Sequence, residues 1–301
     1  MNLVIDHTFI ENLLKYHPTS SAINSDSTIR IFTNKKNNFL ITRRYLEILK
    51  EKISTDISHD AFQQIITFMI DRKNDTSKDL NESDKIEDVI SEFKRLRNLF
   101  EKEEPILFVF YHIENPEEKL VNLPYINILD KSSNFHANLL FELAENGVFK
   151  INYFHANNDQ DIEFIFTSAL SLFKKISKLT IYERDCDFHN NPILANLLKI
   201  KNKEIYTRAW DRSGSYSDLI TEIKCIQSKF GGSIITYLTK DRSSIHERRL
   251  LLRNIVIDSD HNLSSITARN KSWTLTVYIE QEIEKYTDKN STFFKLQMNG
   301  K

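Results

Sequence analysis

Apolar residues recur at helical spacing through most of the first hundred positions, and the first such stripe is formed by Phe9, Ile10, Leu13 and Leu14. Because side chains three and four positions apart share one face of a helix, these stripes predict amphipathic helices. Two short β-branched and aromatic runs between them, at residues 28–32 (TIRIF) and 39–42 (FLIT), predict strands. Residues 1–104 are therefore predicted to form a mainly helical N-terminal region.

A polar and charged stretch divides this region. Residues 71–86 (DRKNDTSKDLNESDKI) contain few apolar positions, which favours a mobile connector. A further amphipathic helix is predicted over residues 86–100. At Pro105 the pattern changes, because ILFVFYHI (106–113) has the composition of a buried strand. We therefore place the domain boundary here and expect a second region over residues 105–301.

Strands and helices alternate in this second region. The predicted strands cover residues 148–155, 179–185, 204–210 and 233–239, and a hairpin is predicted over residues 245–260. The predicted helices lie at residues 135–147, 162–176, 191–200 and 215–231, and Gly147 and Gly231 end two of them. Such alternation is typical of an α/β fold with a largely parallel sheet.

Candidate chemistry is concentrated in SIHERRLLLRNIVIDSDHNLSS (244–265). On a strand, His246 and Arg248 point to one face, and Glu247 and Arg249 point to the other. An arginine binds two phosphate oxygens at once, and a histidine can attack phosphorus or protonate a leaving oxygen. The alternative is that the arginines form a solvated strand face and His246 hydrogen-bonds locally.

Other polar residues lie where predicted parallel strands end. Asp185 ends one strand and Arg208 lies near the end of the next, and Asp211 and Arg212 follow it. Since sites in open α/β sheets gather at the carboxyl ends of strands, these side chains and His246 could converge. The alternative is that they cap helices and pair with one another. The region is also locally basic, which suits a phosphate-rich partner.

Composition narrows the function classes. The 41 Lys and Arg residues balance the 42 Asp and Glu residues, which argues against a globally basic nucleic-acid binder. With only five glycines, a glycine-rich phosphate loop is not expected. No apolar run approaches the length of a membrane span, and the first residues lack a basic segment, so a cytoplasmic protein is predicted. The abundance of Asn, Lys and Ile suggests a bacterial source.

Metal and cofactor sites are not predicted. The two cysteines, Cys186 and Cys225, can form neither a disulfide framework nor a four-cysteine zinc site. Cys186 with His189, or with Cys225, provides only two ligands, and buried structural cysteines are the more common case. We therefore expect no metal and no cofactor.

The order of elements from residue 160 to 280, together with the segment around His246, resembles a phospholipase-D-like domain. The resemblance is strongest to the single-copy type found in the C-terminal domain of MIT-domain proteins and in bacterial relatives. It implies a phospholipase-D-like α/β domain preceded by the mainly helical region. The motif of that family is His-x-Lys, four residues, and then Asp, with a Gly-Ser-x-Asn stretch further on.

This chain departs from the motif at several positions. His246 takes the histidine position, Arg248 replaces the lysine, and Arg253 replaces the aspartate. Residues 260–263 (DHNL) fall where Gly-Ser-x-Asn would be. We assign His246 and Arg248 as candidate catalytic residues. The candidate phosphate-binding residues are Arg208, Arg212, Arg253 and Asn262, and the supporting residues are Asp185 and Asp260.

Two functions follow from the resemblance. One is a phosphodiesterase or nuclease that acts on nucleic acid in a bacterial antiviral defence or toxin system. Because the enzymes of this family use two histidines, a single-copy enzyme would have to form a homodimer. The other is a non-catalytic module that binds nucleic acid, acidic lipid or a protein partner. A weaker resemblance, of LVID (3–6) and the helices after it to a PIN-like ribonuclease, would make Asp6 and Glu47 metal-binding carboxylates.

Overall fold

The computed structural model describes the chain in ranges separated by gaps: 1–15, 23–53, 55–71, 88–99, 104–130, 138–153, 159–187, 189–208, 216–240, 245, 248–263, 273–283, 286 and 293–296. The chain forms two compact units. Unit 1 comprises Met1–Gly147 and Ser171–Lys174, and unit 2 comprises Val148–Leu170 and Lys175–Lys301.

Unit 1 is an α/β unit built on a parallel sheet. Its strands are β1 (Asn2–Ile5), β2 (Asn38–Phe39), β3 (Ile106–Phe110) and β4 (Tyr125–Asn127), in the order β2-β1-β3-β4. Its helices are α1 (His7–Leu14), α2 (Ile23–Thr33), α3 (Arg43–Lys52), α4 (His59–Asp71), α5 (Val89–Leu99), α6 (Pro116–Lys119) and α7 (Asn138–Asn146). All residues of β1 and β3 are buried, as their continuous apolar sequences require.

A separate, mainly helical N-terminal region is not what the structure shows. Residues 1–104 do contain α1 to α5, but β1 pairs with β3 along its full length and lies at the centre of the sheet. The boundary expected at residue 104 therefore falls inside unit 1, and the division between the units follows Gly147. Gly147 ends α7, as predicted, with a φ of 68° that suits glycine. The predicted connector at residues 71–86 lies almost entirely outside the described residues.

The predicted strand at residues 28–32 is instead the second half of α2. Thr28 and Ile31 are both fully buried, which places them on the inner face of that helix. The Thr28 hydroxyl donates to Asn12 Oδ1 of α1 at 2.9 Å. Packing against α1 thus outweighs the strand preference of a β-branched run.

Unit 2 contains one large mixed sheet. Its strands are β5 (Val148–Tyr153), β6 (Lys178–Tyr182), β7 (Asn202–Arg208), β8 (Ser233–Thr239), β9 (Arg248–Leu252), β10 (Ile255–Ser259), β11 (Trp273–Ile279) and β12 (Phe293–Lys295). Their order is β12-β8-β7-β6-β9-β10-β11-β5. Its helices are α8 (Asp159–Ser171), α9 (Ala195–Leu198) and α10 (Ser217–Phe230).

The alternating pattern is confirmed in unit 2. Strands β6, β7 and β8 are parallel to one another, and β9 and β10 form the predicted hairpin. The helix expected from Asn191 is shorter than predicted, since α9 begins only at Ala195. An α/β fold is therefore correct for this part of the chain.

The direction of β9 determines which side chains meet. Because β9 runs antiparallel to β6, Arg249 pairs with Tyr182, and the start of β9 lies beside the carboxyl end of β6. Ser259 pairs with Arg248, so the end of β10 reaches the same edge. The carboxyl end of β7 is also there, since Tyr206 pairs with Tyr182. Four strand ends therefore come together at one edge of the sheet.

No membrane span is found among the helices in the described ranges, because none is both long enough and apolar enough to cross a bilayer.

Candidate functional site

Polar side chains from the ends of four strands of unit 2 meet at this edge. Asp185 follows β6, Arg208 ends β7, Arg248 begins β9, and Asn262 follows β10. We call these residues the basic edge. The structure therefore brings together four of the predicted site residues, which are up to 77 positions apart in the sequence.

Asn262 lies between Arg248 and Asp185 in the basic edge and hydrogen-bonds to both. Its Oδ1 accepts a hydrogen bond from Nε of Arg248 at 3.0 Å, and its Nδ2 donates to Oδ2 of Asp185 at 3.4 Å. An asparagine amide can donate and accept at the same time, so it can hold a cation on one side and an anion on the other. The bond to Nε fixes the plane of the Arg248 guanidinium.

Asp185 also accepts hydrogen bonds from two arginines. Nη2 of Arg208 donates to its Oδ1, and Nε of Arg184 donates to its Oδ2 at 3.2 Å. Partial burial of the Asp185 carboxyl would by itself raise its pKa, but the hydrogen bond and charge of Arg208, followed by those of Arg184, hold the pKa below its ordinary value. Asp185 therefore remains ionised and orients Arg208.

Glu183 lies beneath the basic edge and was not singled out in the sequence. Its side chain is fully buried. Oε2 accepts from the backbone N–H of Leu263 at 2.6 Å, and Oε1 accepts from that of Asp185 at 3.3 Å. Burial raises the pKa of Glu183 from 4.5 to about 7, although these two N–H groups and the charge of Arg248 oppose the change. A carboxyl group that titrates near neutral pH thus supports the segment that carries Asn262.

The backbone before Asn262 is fixed by short-range hydrogen bonds. Ser259 Oγ donates to the carbonyl of His261 at 2.9 Å and accepts from its N–H at 3.2 Å. The N–H of Asn262 donates to Nδ1 of His261 at 2.9 Å, so this ring nitrogen is unprotonated in that arrangement. Asn262 is thus held by its own segment as well as by Glu183.

Two predicted site residues do not join the basic edge. Arg253 lies in the turn between β9 and β10, at the opposite end of the hairpin from Arg248, with a φ of 57°. Asp260 is exposed and accepts from the N–H of Thr274 at 2.7 Å through Oδ1, so it fixes the start of β11. The structure therefore does not bring Arg253 and Asp260 to the basic edge, and their predicted phosphate-binding and supporting roles stay predictions.

His246 and Arg212 lie outside the described residues, as does Asp211. The predicted convergence of these three with the basic edge therefore stays a prediction. Ile245, directly before His246, is buried. Arg248 lies two positions after His246.

Arg249, the neighbour of Arg248, has a different environment on the opposite face of β9. Its Nε and Nη2 donate to the two carboxylate oxygens of Asp258 at 2.6 and 3.1 Å. Its guanidinium also lies 4.2 Å from the ring centre of Tyr286. Arg249 therefore takes part in the packing of unit 2 on the face opposite Arg248, as the alternation of side chains along a strand predicts.

The carboxylates suggested by the PIN-like resemblance have separate local partners. Asp6 caps α1 by accepting from the backbone N–H of Thr8 at 3.1 Å and from its hydroxyl at 2.7 Å. Glu47 is largely exposed, and its carboxylate lies 3.7 Å from Nε of Arg43. Within the described ranges, neither belongs to a group of three metal-ligating side chains.

The basic edge has the composition of an anion site. Arg208 and Arg248, with Arg184 beside them, provide three positive charges, against the carboxylate of Asp185 and that of Glu183, whose pKa burial raises to about 7. Guanidinium groups held in fixed planes match the oxygens of a phosphate. The described side chains can therefore bind and orient a phosphate group.

No protein-family model and no curated protein matches this chain. Solved structures do: a polyphosphate kinase from Porphyromonas gingivalis aligns with a TM-score of 0.36 and 13% identity, over 52% of this chain and 26% of the kinase. Phosphatidylserine synthase from Haemophilus influenzae aligns with a TM-score of 0.35 and 14% identity, over 50% of this chain and 39% of the synthase.

NucT from Helicobacter pylori aligns with a TM-score of 0.34 and 10% identity, over 50% of this chain and 99% of NucT. All three are members of the phospholipase D superfamily. Because these scores and identities are low, we base the proposed chemistry on the side chains of the site and not on these likenesses.

Proposed function

We propose that unit 2 binds the phosphate group of a phosphodiester at the basic edge. The observation that supports this is the continuous chain of hydrogen bonds from Arg248 through Asn262 and Asp185 to Arg208. It holds two guanidinium groups in fixed orientations at one edge of the sheet. Preorganised arginines lose little side-chain freedom on binding, so the phosphate gains more from each hydrogen bond.

We further propose that the protein is an effector that acts on nucleic acid. His246 is the proposed nucleophile, since it lies two positions before Arg248 on the same predicted strand face. Its imidazole would attack phosphorus and form an N–P bond, while the P–O bond to the leaving nucleotide breaks and a second histidine protonates that oxygen. Water, after giving a proton to the second histidine, would then release the phosphate from His246.

The second histidine would come from a second copy of the chain. This part of the proposal rests on the resemblance to single-copy phospholipase-D-like domains, and so does the setting in a bacterial defence or toxin system. A homodimer would place two copies of His246 at one phosphate.

A second function is supported by the position of Arg253. The motif acid is replaced by this arginine, and the arginine lies in the turn at the far end of the hairpin. A site that has lost this acid can keep its arginines and bind phosphate without cleaving it. We therefore keep a non-catalytic module for nucleic acid or acidic lipid as the alternative.

Both functions can be tested on the full chain in the presence of EDTA. The probes are bis(p-nitrophenyl) phosphate and fluorescently labelled single-stranded DNA and RNA, mixed with wild type and His246→Ala. Cleavage by wild type and none by His246→Ala would support the effector. Salt-sensitive binding without cleavage would support the binding module. Neither binding nor cleavage at low salt would contradict both the effector and a module that binds nucleic acid.

A further inference from the structure

A second cluster of polar side chains lies in unit 2, apart from the basic edge. Asp187 and His189 belong to the segment after β6, and Glu222 belongs to α10. One ligand atom from each of the three lies within 4.8 Å of the others. In the described parts of the chain, this is the one group of three or more metal-ligating side chains.

Glu222 is unusual for its position on the helix. It shares the inner face of α10 with Leu219, Ile223 and Ile226, and it is 7% exposed. A buried carboxylate at an otherwise apolar position is costly unless it is paired. Its Oε1 accepts from the backbone N–H of His189 at 2.7 Å, and its Oε2 contacts Nδ1 of the same residue. Both oxygens are therefore directed at the segment after β6.

The donor set fits a transition-metal dication. Zinc is commonly bound by one or more imidazole nitrogens and carboxylate oxygens at about 2.0–2.2 Å, which places ligand atoms about 3.3 Å apart in a tetrahedral site. The three ligand atoms here lie within 4.8 Å of one another, and the exposed side chain of Asp187 lies outside the core that would restrict its movement. Replacing the contact between Nδ1 and Oε2 by an ion exchanges a proton for the metal.

Charge and access also fit. The two carboxylates of Asp187 and Glu222 carry more negative charge than one imidazole can offset, so the cluster attracts a cation. His189 lines a surface pocket of about 470 Å³ together with Thr221 and Lys224, so an ion and water can reach the imidazole from solvent.

We propose that Asp187, His189 and Glu222 bind a first-row divalent transition metal, best matched by Zn²⁺, with water in the remaining position. The ion would fix the segment after β6 to α10, two residues beyond Asp185 of the basic edge. Sequence reasoning dismissed His189 because it had only Cys186 as a partner. The ligand that completes the set is Glu222, 33 positions away from His189.

Cobalt provides a direct test, because Co²⁺ bound to nitrogen and oxygen ligands absorbs visible light. The full chain, freed of metal with EDTA and dialysed, would be titrated with Co²⁺ and then with Zn²⁺. We expect saturation at one equivalent, displacement by Zn²⁺, and a higher melting temperature with Zn²⁺. Glu222→Gln and Asp187→Asn should each weaken Co²⁺ binding at least about tenfold, because even the loss of a residue that only orients a ligand costs that much.

Asp218→Asn is the matched control, because Asp218 is an exposed acid on the same helix outside the cluster. It should bind Co²⁺ as wild type does. Should Glu222→Gln fail to fold, Asp187→Asn decides, since an exposed side chain can change without disturbing the core. No saturable cobalt absorption in wild type, or unchanged affinity in Asp187→Asn, would overturn the site.

Discussion

The carboxylate of Glu183 accepts a hydrogen bond from the backbone N–H of Leu263 at 2.6 Å, across 80 positions of sequence. The carbonyl of Leu263 in turn accepts from Nδ2 of Asn191 at 2.9 Å. Leu263 itself is fully buried. The segment that carries Asn262 is therefore held from both sides, and a buried acid is one of the two groups that hold it.

Glu183 should make the stability of unit 2 depend on pH. Since its pKa rises from 4.5 to about 7 on folding, the folded protein binds a proton more tightly than the unfolded chain. The contribution to stability is fully present below pH 4.5 and is lost as pH rises to 7, by up to about 3 kcal/mol. Glu183→Gln, which cannot ionise, should therefore gain stability relative to wild type as pH rises across this range.

Urea unfolding at several pH values measures this difference. The variant loses one acceptor for the N–H of Asp185, but that loss does not change with pH. A stability difference between wild type and Glu183→Gln that stays constant from pH 4.5 to 8 would show that Glu183 has an ordinary pKa.

Asn262→Ala should distinguish the effect of Arg248 orientation on DNA binding from the effect of charge at the basic edge. It removes the group that fixes the Arg248 guanidinium and leaves every charge in place. We expect DNA affinity to fall by about 1 kcal/mol, with an unchanged dependence on salt concentration. Fluorescence anisotropy over a range of salt concentrations measures both quantities. A weaker salt dependence in this variant would mean that Asn262 acts in some way other than by orienting Arg248.

Arg248 and Arg249 are neighbours with opposite expected phenotypes. Arg249→Ala removes two hydrogen bonds to Asp258 and the contact with Tyr286, so it should destabilise the protein by about 2 kcal/mol. It should leave DNA affinity unchanged in the folded protein. Chemical denaturation measures the loss of stability, and fluorescence anisotropy measures the DNA affinity. A loss of DNA affinity in folded Arg249→Ala would show that DNA binds the face of β9 that carries Arg249, and not the face that carries Arg248.

The proposed enzyme should be a dimer in its active form. One histidine per chain provides only half of the pair that the mechanism requires, so light scattering with DNA present should give twice the mass of one chain plus the mass of the bound DNA. A monomer under these conditions, with cleavage activity intact, would mean that another residue of the same chain replaces the second histidine. His261 is the described candidate, because it adjoins Asn262.

The alternation of strands and helices in unit 2 could be predicted because each element has its own local pattern. Strands β6, β7 and β8 appear as short apolar runs, and Gly231 marks the end of α10. The sheet of unit 1 could not be predicted this way. Its central strand β1 is only four residues long and pairs with β3, about a hundred positions later. Pairing over that distance leaves no periodic signal near either strand.

The residues of the site could be predicted from the sequence as far as the ends of the strands could be predicted. Asp185, Arg208, Arg248 and Asn262 meet because each lies at or beyond the end of its strand at the same edge. Arg253 was assigned from its motif position alone, and only the fold shows that it lies in the turn at the other end of the hairpin. Glu183 and Glu222 were missed since an acid next to other polar residues looks solvated, and only the fold shows that these two are buried.

The most direct test of the basic edge compares two arginines at opposite ends of one hairpin. Arg248→Ala should weaken binding of single-stranded DNA and lower the slope of log affinity against log salt by about 0.7, since one phosphate contact is lost. Arg253→Gly also removes one positive charge, and glycine suits the left-handed φ of 57° at that turn. We predict that Arg253→Gly retains the affinity and slope of wild type. Equal losses in both variants would show that the charge of the chain, and not the basic edge, binds the DNA.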